Sequence, residues 1–123
     1  MTNTQKSQSA TKHFILQRCT AVLLIPLILW LLYHVANFAH SFSAENLAIF
    51  LRHPVNFVLI VFFIMSFLYH AFLGMDDIMK DYIHCTSLYK TLRKILLLVS
   101  VFTYAVTVVN LLFFHMLFRY FTN

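Results

Sequence analysis

Three long apolar runs dominate the chain. The first extends from about Phe14 to Phe38, with an uncharged core after Arg18. Val55–Met75 is 21 residues without Asp, Glu, Lys or Arg, and Ile95–Phe118 is 24 residues without a formal charge. An α-helix rises about 1.5 Å per residue, so about 20 apolar residues cross a hydrocarbon core of about 30 Å. The pattern predicts three transmembrane helices, at about 14–38, 55–80 and 92–118.

The polar segments define the remaining organisation. Residues 1–12 are rich in Ser, Thr and Gln and are predicted to form a disordered polar cytoplasmic tail, with residues 13–123 as one membrane-anchor domain. Ala44–Leu51 has helical periodicity and is expected to lie along the membrane interface. Pro54 suits the first turn of the second helix, whereas Pro26 falls inside the first and is expected to kink it. Asp76–Lys94 is interpreted as the second connection.

Composition supports an integral membrane protein. The 123 residues are 61% hydrophobic and 11% charged, and the long runs lack the polar faces of soluble helices. The predicted fold is all-α, an up-down-up bundle of three spans. Cys19 and Cys85 have no metal-ligand spacing and are interpreted as unpaired thiols without a role. Four polar residues of the third span are expected to form helix–helix hydrogen bonds: Ser100, Thr103, Thr107 and Asn110.

The basic residues indicate orientation. The N-terminal segment and the second connection carry seven Lys and Arg residues, whereas the opposite side carries two, Arg52 and Arg119. Because basic residues are enriched on the cytoplasmic side, the N-terminus and the second connection are predicted to be cytoplasmic. The net charge of +5 is not a nucleic-acid signature, since these residues lie at the ends of apolar runs. We expect the bacterial cytoplasmic (inner) membrane, with the mitochondrial inner membrane as the alternative.

Seven histidines are present, and His70 differs from the rest because it lies well inside an apolar run. An ionisable residue within a membrane is a functional hypothesis by default, although a hydrogen-bonded core imidazole remains an alternative. A neutral imidazole in a helical bundle suits axial ligation of haem iron. His34 and His115 lie near the opposite surface and are interpreted as interfacial or bonded to a neighbouring helix. A second haem ligand would therefore come from a partner subunit. The other four lie in connections or at interfaces: His13, His40, His53 and His84.

A second group of candidates follows His70. Eleven helical steps bring Asp81 back to the face of His70, about 16 Å along the axis, and Gly74 on the same stripe leaves room for a flat group. Tyr82 could donate a hydrogen bond to a quinone carbonyl at the interface, supported by the carboxylate of Asp81. The alternative is a solvated helix end with an interfacial tyrosine. Arg18, at matching depth, could pair with Asp81 or with a haem propionate.

These residues resemble the small hydrophobic membrane-anchor subunits of succinate dehydrogenase (respiratory complex II), of the cytochrome b556 small-subunit type. That family has a histidine followed eleven residues later by Asp-Tyr, matched by His70, Asp81 and Tyr82. His70–Met75 matches its His-Ala-x-x-Gly-Met pattern, and the segment from Phe14 through Arg18 is similar to its first helix. The resemblance extends over nearly the whole chain from about Lys12.

The resemblance implies specific roles. His70 would be one axial ligand of haem b, with the other from the companion cytochrome b anchor. Tyr82 would hydrogen-bond ubiquinone in a pocket shared with that anchor and the iron–sulfur subunit, and Asp81 would support the pocket. Arg18 would lie near the haem propionates or the quinone, and His13 is a weaker candidate. Succinate oxidation would belong to the flavoprotein and iron–sulfur subunits, because the chain carries no flavin or Cys-rich motif.

Three alternatives stay open. A fumarate reductase anchor would run the reaction in the reverse direction. A purely structural anchor would have the fold without haem. An unrelated three-span transport or assembly protein would use His70 and Asp81 as a proton path.

Overall fold

Four α-helices make up the described part of the chain. The computed structural model describes residues 3–121, with side chains for residues 11–120. The helices are α1 (Asn3–His40), α2 (Ala44–Arg52), α3 (Pro54–Tyr82) and α4 (Thr86–Phe121). Within these residues, three helices are long and apolar enough to cross a membrane, at Thr11–His40, Pro54–Tyr82 and Thr86–Tyr120. The prediction of an all-α fold with three spans is confirmed.

The second helix is short and has a serine N-cap. Ser43 has extended backbone, and its hydroxyl accepts a hydrogen bond from the backbone N–H of Asn46 at 3.0 Å. This is the usual N-cap arrangement, which satisfies an N–H group that the helix itself cannot pair. α3 then begins with Pro54 in its first turn, as predicted. α1 is continuous through Pro26.

The helices extend further than the apolar runs. α1 begins at Asn3, so the expectation of a disordered segment at residues 1–12 is wrong from that residue onward. The second connection is also shorter than predicted, because the helical stretches of α3 and α4 leave only Ile83–Cys85 between them. Neither region contains a proline or an interrupting glycine, and adding residues to an existing helix is far easier than nucleating one.

α3 is the central helix. α1 and α4 both pack against it, and α2 contacts α3 and α4. Buried side chains are few among the described residues: Leu24, Leu27, Leu73, Ser66 and Asp76. Most large apolar side chains are exposed, as expected for helices whose surroundings are lipid or other membrane subunits. We call the end of the bundle where α1 begins, α3 ends and α4 begins the N-terminal end.

Three polar side chains of α4 form hydrogen bonds with the backbone of their own helix. The side chains of Ser100, Thr107 and Asn110 donate to the backbone carbonyls of Leu96, Thr103 and Val106, each four residues earlier on the same helix. The prediction of helix–helix bonds is wrong for these three residues. Short polar side chains readily reach the carbonyl one turn back, and this requires no neighbouring helix.

Candidate functional site

His70 is held by a side chain of the neighbouring helix. Its Nδ1 lies 2.9 Å from Oγ1 of Thr20 on α1, and both residues are half-buried. The Thr20 hydroxyl also donates to the carbonyl oxygen of Gln17 at 2.9 Å. A hydroxyl carries a single hydrogen, so Oγ1 accepts the remaining bond from Nδ1–H of His70. This assigns the neutral imidazole a tautomer in which Nε2 keeps its lone pair.

The space beside His70 is open. Gly74 lies one turn further along α3 on the same face, and a Cβ placed on it would meet no atom within 4 Å outside the adjoining helix backbone. Between α1 and α3, Cys19, Leu23 and Tyr69 help to line a cleft of about 210 Å³ that includes Thr20. A planar apolar group can approach this part of the bundle without displacing a side chain at position 74.

Arg18 lies close to the level of His70. The antiparallel packing sets Thr20 against His70, and Arg18 is two residues, or about 3 Å, nearer the N-terminal end. Its guanidinium carbon lies 5.0 Å from the centroid of the Phe14 ring, an arrangement typical of a cation–π contact. The side chain is exposed and forms no ion pair with a described residue, so the suggested Arg18–Asp81 pair does not form within this chain.

Asp81 and Tyr82 end the central helix. α3 is continuous through both residues, so the condition for placing Asp81 on the stripe of His70 is met. Both side chains are exposed, and Tyr82 keeps 80% of its surface accessible. A tyrosine that is this exposed contributes little to packing within the chain, and its hydroxyl is accessible to another molecule.

The buried acid of the chain is Asp76, which the sequence patterns did not single out. It is 1% exposed, and three donors lie within 3.0 Å of its carboxylate oxygens. Lys80 Nζ lies 2.8 Å from Oδ2, whereas the Tyr89 hydroxyl and Nε of Arg93 lie 2.8 Å and 3.0 Å from Oδ1. Tyr89 and Arg93 belong to α4, so Asp76 joins α3 to α4 at the N-terminal end.

α1 reaches the same cluster through His13. Its Nε2 lies 3.4 Å from Asp76 Oδ2, and its Nδ1 lies 3.4 Å from Asp77 Oδ1. His13, Asp76 and Asp77 have the donor types of a metal site. The ammonium of Lys80, however, lies 2.8 Å and 3.1 Å from the same two carboxylates. Together with the guanidinium of Arg93, 3.0 Å from Asp76, it balances their two negative charges. The arrangement is therefore better described as a charged junction of three helices.

Two signals in the sequence point to this junction. Asp76 lies three residues after Leu73 and ten after Ser66, which places it on the buried stripe of α3. Lys80 follows it at the spacing of a helical ion pair. The contributions of Tyr89 and Arg93 depend on how α4 packs against α3, which local sequence does not reveal.

The other two histidines within the spans have partners inside the bundle. His115 Nδ1 lies 3.0 Å from the carbonyl oxygen of Leu51, and its ring packs against Phe57. His34 packs among aromatic rings, including those of Trp30 and Phe50. Both lie at the end of the bundle opposite to the charged junction.

Comparison with known proteins identifies relatives over most of the chain. Residues 2–117 match the family described as "Succinate dehydrogenase/Fumarate reductase transmembrane subunit". A succinate dehydrogenase hydrophobic membrane anchor subunit of Rickettsia bellii is 38% identical over 102 residues, covering 82% of this chain and 80% of the relative. The subunit of the same name from Rickettsia prowazekii is 33% identical over 102 residues, with the same coverage. A succinate dehydrogenase membrane anchor subunit of Reclinomonas americana is 37% identical over 81 residues, covering 64% of this chain and 68% of the relative. No solved structure matches the chain.

Proposed function

The chain belongs to the family of succinate dehydrogenase/fumarate reductase transmembrane subunits, and we propose that it binds haem b and contributes to the quinone-reduction site of succinate:ubiquinone oxidoreductase. The family covers enzymes named for both directions of the reaction. The relatives from Rickettsia are named for succinate dehydrogenase, which supports electron flow from succinate to ubiquinone.

The hydrogen bond between Thr20 and His70 carries the haem proposal. It leaves Nε2 of His70 with a free lone pair, which is the state that an axial ligand to iron requires. Metal-binding histidines typically use their other ring nitrogen in such a bond, which fixes the orientation of the ring. Bound haem would supply a one-electron carrier.

The surroundings of His70 support the same role. Gly74 leaves the adjacent face of α3 open, so the porphyrin plane has room beside the imidazole. Arg18 lies about one helical turn or less from that level and has no acidic partner among the described residues. Its guanidinium suits a haem propionate, because arginine forms bidentate bonds with carboxylates. A second ligand to the iron would come from the companion cytochrome b anchor.

The quinone part of the proposal depends on the end of α3. Tyr82 presents its hydroxyl at the N-terminal end of the bundle, where the apolar helix meets the polar connection. The hydroxyl donates to a ubiquinone carbonyl, and the carboxylate of Asp81 assists proton delivery as the quinone is reduced. The high exposure of both side chains is consistent with a pocket completed by the companion anchor and the iron–sulfur subunit. Succinate oxidation resides in the flavoprotein, and the assembly lies in a bacterial inner membrane.

Replacing His70 tests the haem assignment. We expect His70→Ala to remove the low-spin b-type band from the reduced-minus-oxidised spectrum of the purified complex, while the subunits still assemble, because alanine is a good helix former. His34→Ala is the matched control, since that imidazole packs among aromatic rings at the opposite end. An unchanged spectrum in the His70 variant would refute the assignment.

Replacing Tyr82 tests the quinone assignment separately. Tyr82→Phe removes one hydroxyl from an exposed side chain, so the fold should be unaffected. We expect quinone reduction to fall by about 10²-fold, the lower end of the range for loss of a proton donor. Succinate oxidation with a soluble artificial acceptor should continue at the normal rate. A parallel loss of both activities would mean that Tyr82 acts through assembly.

A further inference from the structure

A cationic depression lies on the first turns of α4. It has a volume of about 650 Å³ and is lined by Tyr89, Lys90, Arg93, Lys94, Leu97 and Leu98. Lys90 and Lys94 are exposed and form no ion pair with a described residue. Arg93 uses Nε for Asp76, and its side chain remains 50% exposed. Like charges four residues apart on a helix repel each other, so an anion between these groups would be stabilising.

An apolar groove continues from this depression toward the middle of the membrane. It lies between α3 and α4, has a volume of about 240 Å³, and includes Leu68, Phe72, Val101 and Tyr104. Leu97 lines both the groove and the depression. From Leu97 to Tyr104 is about 10 Å along the helix axis, roughly the length of the upper half of an acyl chain. The two cavities therefore form one surface with a cationic upper part and an apolar lower part.

We propose that this surface binds an anionic glycerophospholipid, with its phosphate between Lys90, Arg93 and Lys94 and one acyl chain in the groove between α3 and α4. Basic pockets beside apolar helices on the cytoplasmic side of membrane proteins suit such headgroups. An acidic patch on a soluble protein would match the cations but not the groove, which lies within the membrane-spanning parts of both helices. Neither His70 nor its partner Thr20 lines this surface, although Tyr69 lines both the groove and the cleft that includes Thr20.

The test measures lipid retention by the chain purified with the subunits that accompany it. The delipidated protein is supplied with phosphatidylglycerol or phosphatidylcholine of identical acyl chains, and bound lipid is counted by native mass spectrometry. We expect phosphatidylglycerol to be retained preferentially. Lys94→Gln should reduce this preference about five-fold, the equivalent of about 1 kcal/mol for one basic residue at a membrane surface. Lys90→Gln should reduce the preference to the same extent, and it replaces Lys94→Gln in the test if that variant does not assemble.

Two further variants separate specific binding from general attraction. Lys12→Gln removes an exposed charge from the same end of the bundle but from α1, and it should leave retention unchanged. Val101→Trp fills the groove with an apolar side chain at an exposed position and should reduce retention although all the cations remain. Equal losses in the Lys12 and Lys94 variants would overturn the proposal, as would full retention in the Val101 variant. Displacement by equimolar glycerol 3-phosphate would indicate a soluble-anion site and would also overturn it.

Discussion

The hydroxyl of Thr20 determines what His70 can do. Because Oγ1 donates to the carbonyl of Gln17, it accepts from Nδ1–H of His70 and directs the lone pair to Nε2. Without this bond the ring could rotate or adopt the other tautomer. The ability of His70 to bind haem iron through Nε2 therefore depends on the hydroxyl of Thr20.

Replacing Thr20 tests this coupling. Thr20→Val keeps the shape of the side chain but removes the hydroxyl, and we expect haem retention to fall about ten-fold, within the range typical for partners of metal-binding histidines. The midpoint potential of the remaining haem should also change, because the ligand loses its hydrogen bond. Thr20→Ser restores the hydroxyl and should restore both properties. Identical spectra and potentials in the Val and Ser variants would exclude the role of the hydroxyl.

At the scale of elements, the charged junction at Asp76 explains how three mostly apolar helices keep one register. α1 and α3 are antiparallel, and their polar contacts include Thr20 with His70 and His13 with Asp77. Both contacts fit one register, because the two residues on α1 and the two on α3 are each seven positions apart. Tyr89 and Arg93 add α4 to the same carboxylate. Lipid-facing helices gain little from hydrophobic burial against each other, and polar contacts of this kind therefore matter more for their arrangement.

Replacing Asp76 should loosen this end of the bundle. Asp76→Asn retains the size of the side chain but removes the charge that pairs with Lys80 and Arg93, and we expect a loss of about 1–3 kcal/mol in stability. Asp77→Asn is the matched control, because that residue is only half-buried and should cost less than about 1 kcal/mol. The thermal midpoint of the purified complex measures both. Equal midpoints for the two variants would mean that burial of Asp76 does not contribute.

The sequence predicts some elements much better than others. The three spans follow from run length, and α2 follows from its helical periodicity. The cap at Ser43 was not among the predictions. The helix ends were less predictable, because polar residues after Met75 extend α3 as readily as they would form a loop. The burial of Asp76 depends on how α3 packs against both neighbouring helices, which is tertiary information. The roles proposed for Asp81 and Tyr82 depend on subunits outside the chain. The sequence pattern therefore identifies these residues as candidates but does not predict the pocket around them.

At the scale of the whole molecule, the bundle is thin and its surface is largely apolar. Only five described side chains are buried, although the chain has three membrane-spanning helices. Exposed leucine, isoleucine, valine and phenylalanine side chains cover both outer helices. A surface of this kind requires lipid or further membrane subunits, which agrees with a subunit that anchors a larger complex.

The orientation of the bundle in the membrane can be measured by labelling single cysteines in the connections at its two ends. The N-terminal segment and the residues around Ile83–Cys85 carry seven of the nine basic residues, so this end is predicted to be cytoplasmic. In a Cys19→Ser background, Cys85 should react with a membrane-impermeant maleimide in inverted vesicles but not in right-side-out vesicles.

A matched probe at the opposite end completes this measurement. Ser41→Cys, in a background with Cys19→Ser and Cys85→Ser, places a single thiol at an exposed position just after α1. It should react in right-side-out vesicles only. It also reports orientation if another subunit covers Cys85 and prevents its labelling. Reaction of the Ser41 variant from the cytoplasmic side would invert the bundle and would place the proposed quinone and lipid sites at the outer surface.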